Sequence, residues 1–269
     1  MSLDAPTDTR SPAPGPGSGA GPGGEERRLR EELAAVYRLV AHFRMTDLIF
    51  THISQRLPGG DTFLINPYGL LFSEITASSL VVVGHDGEPV VPTPYRVNPA
   101  GFVIHSAIHE SRPDAHAVLH THTRAGCAVA AQRDGLLPVN QFSMEFHDRI
   151  GYHDYEGVAL NDAEKSRLVA DLGPHHALVL RNHGLLTVGD TAGKAFLRMY
   201  YLERACEVQI AAQSTGAPLQ LPPPDVVEHA ARQLTGGTTG DDHDMSDSDD
   251  LAWVAMLRLA ERIAPDFRD

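Results

Sequence analysis

Ala117-Val118-Leu119-His120-Thr121-His122-Thr123 runs from apolar β-formers into two histidines with one residue between them. In a strand, side chains at i and i+2 share a face, so His120 and His122 aim their imidazoles at one point. Two neutral nitrogens so placed suit a metal ion held at about 2.0–2.1 Å from each. The competing reading is a half-buried strand with two polar residues on its solvent face, because His-x-His pairs also arise by composition. With 15 histidines in the chain, spacing has to carry the argument rather than number. A third histidine tips the balance. Ala177 to Leu180 reads as a buried strand ending in Arg181-Asn182-His183-Gly184, and strand-end turns are where functional side chains are displayed. Gly184 would let the backbone turn sharply there. Three imidazoles with an open position give the ligand count of a catalytic zinc or iron centre.

Outward from this stretch the pattern alternates between strand and helix. On the N-terminal side, Leu29, Leu33, Val36, Tyr37, Val40 and Phe43 recur at helical spacing. Asp47 to Leu57 alternates like a strand, turns at Pro58-Gly59-Gly60-Asp61 and returns over Thr62 to Ile65. Ser73 to Leu80 reads as a short helix, Val81 to Val83 as a strand, and Ala100 to Glu110 as a helix carrying His105 and His109 on one face. Of these two, His105 is the one placed to point into the site, and His109 is expected at the surface. On the C-terminal side, a small helix over Arg124 to Gln132 follows the two histidines. A strand over Ile150 to Tyr155 precedes an Asn161-capped helix over Asp162 to Leu172. Leu185 to Val188 is read as continuing the strand that ends at Leu180, and Thr191 to Thr215 as the longest helix, closed by Gly216. Helices near Val226–Leu234 and Leu251–Ile263 flank a Gly-, Thr- and Asp-rich linker, Thr235 to Asp250. The domain expectation is a Pro/Gly/Ser-rich disordered tail over 1–24, a metal-binding domain over 25–221 and a helical extension over 222–269. Interspersed strands and helices of this kind build a layered α/β or α+β domain on a mixed sheet.

Composition excludes several classes of partner. A net charge of −13 offers no basic footprint for nucleic acid or an anionic membrane. No run approaches the roughly 20 apolar residues of a transmembrane helix. Cys127 and Cys206 form no C-x-x-C pair, which argues against a disulfide framework or a thiolate zinc site. No apolar targeting segment marks the N-terminus for secretion, so a cytoplasmic location is expected. No phosphate-binding or dinucleotide-binding glycine motif occurs in a strand-to-helix context.

Taken together, Phe63-Leu64-Ile65-Asn66-Pro67-Tyr68-Gly69, Arg112-Pro113-Asp114 leading into His120-Thr121-His122-Thr123, and Leu180-Arg181-Asn182-His183-Gly184 with Val188-Gly189 resemble the class II aldolase/adducin family. Tyr152 to Gly157 and Leu202 to Glu207 look closer to its adducin-like branch. The resemblance covers about Leu29 to Gly216. It implies a three-layer α/β/α sandwich around a mixed, largely antiparallel sheet. It also implies a small-molecule substrate, a homotetramer, and zinc, manganese or iron held by residues matching His120, His122 and His183.

Two departures from the family pattern matter. Sugar-phosphate members carry a catalytic glutamate four residues before the helix histidine; the helix histidine here is His105, and the position four earlier is Gly101. The family's phosphate loops have small residues where this chain has His52 and Tyr68, so a phosphorylated sugar is not the expected substrate. Three histidines without a carboxylate leave room on iron for a bidentate 2-oxo acid and O2. The favoured expectation is therefore Fe(II)-dependent oxidative decarboxylation of an aryl 2-oxo acid of the 4-hydroxyphenylpyruvate type. Iron oxygenases of aminocoumarin antibiotic biosynthesis, a branch resembling the family, carry out such chemistry. One alternative is a zinc- or manganese-dependent aldolase-type lyase acting on a non-phosphorylated substrate. The other is a non-catalytic adducin-like binding domain, against which the retained histidines argue. Glu145 and His105 are the candidate acid/base residues, with a solvated loop carboxylate as the competing reading of Glu145. Asn182 is the candidate for orienting a ligand imidazole, and His153 is read as structural.

Overall fold

A computed structural model describes residues 22–157, 162–235 and 248–269. The expected tail lies outside these residues up to position 21, as do Asn161 and most of the expected linker, 236–247. Seven strands form one sheet in the order β3-β2-β1-β4-β7-β6-β5. They are β1 His52–Arg56, β2 Thr62–Ile65, β3 Val81–Gly84, β4 Ala117–Thr121, β5 Ile150–His153, β6 Ala177–Leu180 and β7 Gly184–Gly189. Every neighbouring pair is antiparallel except β5 with β6. The mixed, largely antiparallel sheet that the resemblance implies is present.

Alternation along the strands sorts side chains to two faces. Ala117 and Leu119 of β4, Ala177 and Val179 of β6 and Leu185 of β7 enter one core with Leu33, Val36, Tyr37, Phe196, Met199 and Leu202. These come from α1 (Pro22–His42) and α6 (Ala192–Ser214), the two long helices on that side. Val118, Leu178, Leu180, Leu186 and Val188 face the opposite way, against Ile104 and Ile108 of α2 (Pro99–Ser111) and Leu168 and Leu172 of α5 (Asp162–Leu172). Two helical layers thus enclose the sheet, the three-layer sandwich that the motifs imply.

Four local expectations are corrected. Asp47 to Phe50 is a turn rather than the start of β1, with Phe50 N–H donating to Asp47 O (2.9 Å) and Leu48 at φ 47°. Ser73 to Leu80 forms only a 3-10 turn over Phe72–Glu74. Beyond it, Thr76 and Ser79 bond to each other's backbone, a local alternative that draws the chain out of a helix. Leu185 to Val188 does not prolong the preceding strand but doubles back beside it, pairing Leu178 with Leu186. Asn182 at φ 56° makes that reversal, not Gly184. A four-residue helix, α4 (Gln141–Met144), also stands in the polar segment before β5, capped by Asn140 accepting from Ser143 N.

Directly after β4 comes α3 (Arg124–Ala130), and α7 (Pro224–Leu234) and α8 (Ser248–Ile263) complete the described helices. Trp253 of α8 packs against Phe196, and Arg38 of α1 donates to Asp266 (2.8 Å). No described helix is long and apolar enough to cross a membrane.

Candidate metal centre

β4 and β7 lie side by side with His120 paired to Leu186 and Thr121 to Leu185. This register brings the end of β4 against the turn that opens β7, and so sets His120 and His122 opposite His183. The Nε2 atoms converge: His120 to His122 at 2.8 Å and His122 to His183 at 2.9 Å. Among the described residues this is the group of histidine, cysteine and acidic side chains arranged to hold a metal ion. Gly184 is required by close approach. A Cβ there would stand 2.3 Å from Thr121 O and 3.2–3.3 Å from the rings of His122 and His120.

The protons on two of these rings are fixed by their partners. Nδ1 of His120 is 2.9 Å from Leu185 O, and a carbonyl only accepts, so that nitrogen carries the hydrogen. Nδ1 of His122 is 2.9 Å from Asp47 Oδ2 and donates in the same way. Both Nε2 atoms therefore turn lone pairs toward each other and toward His183. Such a meeting of lone pairs is repulsive unless a cation lies between them, and a divalent metal relieves it. Burial, followed by the neighbouring His52, His183 and His122, holds His120 well below the ordinary histidine range. Burial and then His122 and His153 lower His183 to about 4. Imidazoles in that state are neutral at pH 7, as ligands must be.

Supporting groups come from distant parts of the chain. Thr123 donates to the buried carboxylate of Glu203 on α6 while its hydroxyl caps α3 by accepting from Gly126 N (3.2 Å). The Cys127 thiol donates to His183 O at 2.9 Å. Asn182, the residue singled out for orienting a ligand, is exposed and serves the turn instead. Sequence reasoning missed Asp47 and Glu203 as supports. Asp47 lies in a turn where the alternation predicts a strand, and nothing in the sequence ties Glu203 to the histidines.

The remaining candidates lie elsewhere. His105 is fully buried but does not enter the triad; its Nε2 meets Nδ1 of His52 at 2.7 Å and its Nδ1 meets the Ser54 hydroxyl. His109, expected at the surface, is buried and bonded to Ser54 Oγ (2.7 Å) and Ala115 O (3.1 Å). Glu145 follows α4. Burial raises its carboxyl to about 7, with Asp249 of α8 adding to the shift and Arg198 of α6 opposing it, and no triad histidine is among the charges acting on it. His153 bridges Asp171 (2.7 Å) and Glu164 (3.3 Å), as a structural residue would.

Residues 31–210 match the family model for the class II aldolase and adducin N-terminal domain. The chain belongs to the class II aldolase and adducin family. It is 52% identical over 239 residues to a Pseudomonas aeruginosa protein named for the class 2 aldolases, covering 89% of this chain and 91% of that one. Mouse alpha-adducin is 43% identical over 218 residues, which are 79% of this chain but 30% of that protein. Among solved structures, an aldolase II superfamily protein from Pseudomonas syringae superposes with a TM-score of 0.84 at 50% identity, covering 91% of this chain and 96% of its own. An L-fuculose 1-phosphate aldolase from Glaciozyma antarctica superposes with a TM-score of 0.81 at 26% identity, covering 95% and 97%.

Proposed function

We propose that the protein is a metal-dependent aldolase-type lyase, with His120, His122 and His183 holding zinc or a similar divalent ion and a non-phosphorylated hydroxy-oxo compound as substrate. The observation that carries this reading is the convergence of three Nε2 atoms, with the rings of His120 and His122 oriented by Leu185 O and Asp47. A bound divalent ion would polarise a carbonyl and steady the negative charge left when the adjacent carbon–carbon bond breaks. The family's aldolase relatives favour lyase chemistry over the iron oxygenation expected from the sequence, and zinc or manganese over iron.

The choice of a substrate without phosphate rests on this chain's own loops. An anion cradle needs free backbone N–H groups and small side chains. Here Tyr68 N–H is spent on Arg96 O at 2.8 Å, and Asn66 is tied to the Tyr37 hydroxyl at 2.9 Å. At the first position of β1, His52 puts a buried ring where a cradle needs a small side chain. We also propose the homo-oligomer that the resemblance implies, because Leu48 (67% exposed) and Phe50 (45%) present apolar side chains beside Asp47. Sedimentation equilibrium tests it, and a monomer at micromolar concentration would reject it.

The test of function is a set of hydroxy-oxo acids and their phosphorylated counterparts, offered to zinc-loaded protein with carbon–carbon cleavage followed by product analysis. Cleavage of the non-phosphorylated set is expected. Turnover confined to sugar phosphates would overturn the substrate assignment, and no cleavage of either would overturn the lyase.

A further inference from the structure

His52 sits beside the triad without belonging to it. It pairs with His120 across β1 and β4, so both side chains project from the same face, with ring centroids 5.0 Å apart. Its ring lies directly over Gly101 of α2, where a Cβ would stand 2.7 Å from Cδ2, 2.8 Å from Cγ and 3.1 Å from Nε2. Gly101 is therefore not an opening; it is the floor on which the His52 ring rests.

Behind His52 runs a line of buried polar groups. Nδ1 of His52 meets Nε2 of His105 at 2.7 Å, and Nδ1 of His105 meets the Ser54 hydroxyl. That hydroxyl meets Nε2 of His109 at 2.7 Å, and Nδ1 of His109 meets Ala115 O at 3.1 Å. The last partner decides the rest. A backbone carbonyl only accepts, so the neutral His109 carries its hydrogen on Nδ1 and leaves Nε2 to accept from Ser54. Ser54 then accepts from His105 Nδ1–H, and His105 Nε2 accepts from His52 Nδ1–H. Burial lowers His109 to about 3 and is the first cause holding His105 well below the ordinary histidine range. By elimination, the lone pair of His52 is on Nε2, for which no hydrogen-bond partner occurs among the described residues. A neutral imidazole in water prefers its hydrogen on Nε2. Four successive hydrogen bonds hold His52 in the other form, an arrangement that packing alone does not need.

We propose that Ala115, His109, Ser54 and His105 form a relay of positioning residues that fixes the tautomer of His52. Its Nε2 then accepts the hydrogen bond of a substrate hydroxyl beside the metal centre. This rests on the function proposed above for that centre, but the relay itself is a property of the metal-free chain. The ligand class it selects is a compound with a hydroxyl next to the group held by the metal, in preference to the same compound without the hydroxyl.

Two measurements test the proposal. In the metal-free, uniformly 15N-labelled full chain at pH 7.5, long-range proton–nitrogen correlation should show His52, His105 and His109 each protonated on Nδ1 and bare on Nε2. A hydrogen on Nε2 of His52 would overturn the relay. Ser54→Ala, which interrupts the line, should bring the Nε2–H form of His52 into the spectrum. If that variant does not fold, the wild-type spectrum decides alone. In zinc-loaded protein, glycolate should bind about tenfold more tightly than acetate, and His52→Phe, which keeps a ring over Gly101, should abolish most of that preference. Preference retained in His52→Phe, with the expected spectrum, would overturn the hydroxyl contact and leave a purely structural relay. Zinc that fails to bind at all would overturn the proposed centre and the hydroxyl contact with it, while the metal-free spectrum still judges the relay.

Discussion

At Asp47 a single carboxylate decides how His122 presents itself. Its Oδ2 takes the Nδ1 hydrogen at 2.9 Å, and no other described group holds that ring nitrogen. Replacing Asp47 with Ala should therefore weaken zinc binding about 10–100-fold, the usual cost of losing a ligand's orienting partner, with little change in folding. A chelator-competition titration reads this directly, and an unchanged affinity would show that the pair does not orient the ligand. His120→Ala should go further and remove stoichiometric metal. Asp47 could not be found in the sequence because it lies 75 positions from His122 and its contact depends on a turn through a left-handed Leu48. The histidine pair itself was legible, since a spacing of two on a strand places both rings on one face whatever the rest of the chain does. His183 was legible as a turn residue at a strand end. What the sequence hid was which glycine property mattered: Gly184 is needed for approach to Thr121 O, and Asn182 takes the positive φ.

Element by element, the α2–β1 contact is where the sequence reading changes most. Gly101 read as a missing carboxylate that opens the metal; in the structure it is the seat of the His52 ring. Gly101→Glu should consequently destabilise the fold by about 1–3 kcal/mol through overpacking rather than install a catalytic acid, and Gly101→Ala should show most of the same loss. Urea unfolding of both variants checks this; a fully stable Gly101→Glu would mean that the ring moves aside freely. The same contact gives a pH dependence. The His109 ring bonds to Ser54 and Ala115 O and feels the charges of Arg56, His85 and His116; burial first, then Arg56, lower it to about 3. The unfolded chain would bind a proton near 6.5 that the folded chain refuses, so the stability this ring contributes is complete above about 6.5 and is lost as pH falls from there toward 3. His109→Gln should flatten the acid limb of the stability curve between pH 6 and 4. An unchanged limb would place the sensitivity in other groups. Helical periodicity showed His105 and His109 on one face of α2 but not that the face is buried, because that requires Ser54 and Ala115 from two separate segments.

At the level of the whole molecule, the 3-10 turn after α8, Pro265–Arg268, ties the end of the chain to the segment before β3. Backbone N–H groups of Ala77 and Ser78 donate to Phe267 O and Asp269 O at 2.8 Å, and the Phe267 ring is 1% exposed. A side chain this buried should cost about 3–5 kcal/mol when Phe267 is changed to Ala. Thermal melts would show a much smaller loss if the extension folded independently of the core. Alternating strands and amphipathic helices were enough to read a layered α/β molecule, since burial on two sheet faces leaves that imprint on every strand. The doubled-back β6–β7 pair was not, because a buried hairpin strand has the same apolar run as a continuing one. The chemistry proposed for the three histidines is oxygen-independent carbon–carbon cleavage. It is tested most directly by following cleavage of a non-phosphorylated hydroxy-oxo acid by zinc-loaded protein in an oxygen-free cell and in air. Equal rates in both, with loss of turnover in His120→Ala, are expected. Cleavage that requires oxygen, or that survives in the metal-free protein, would rule out a metal-dependent lyase.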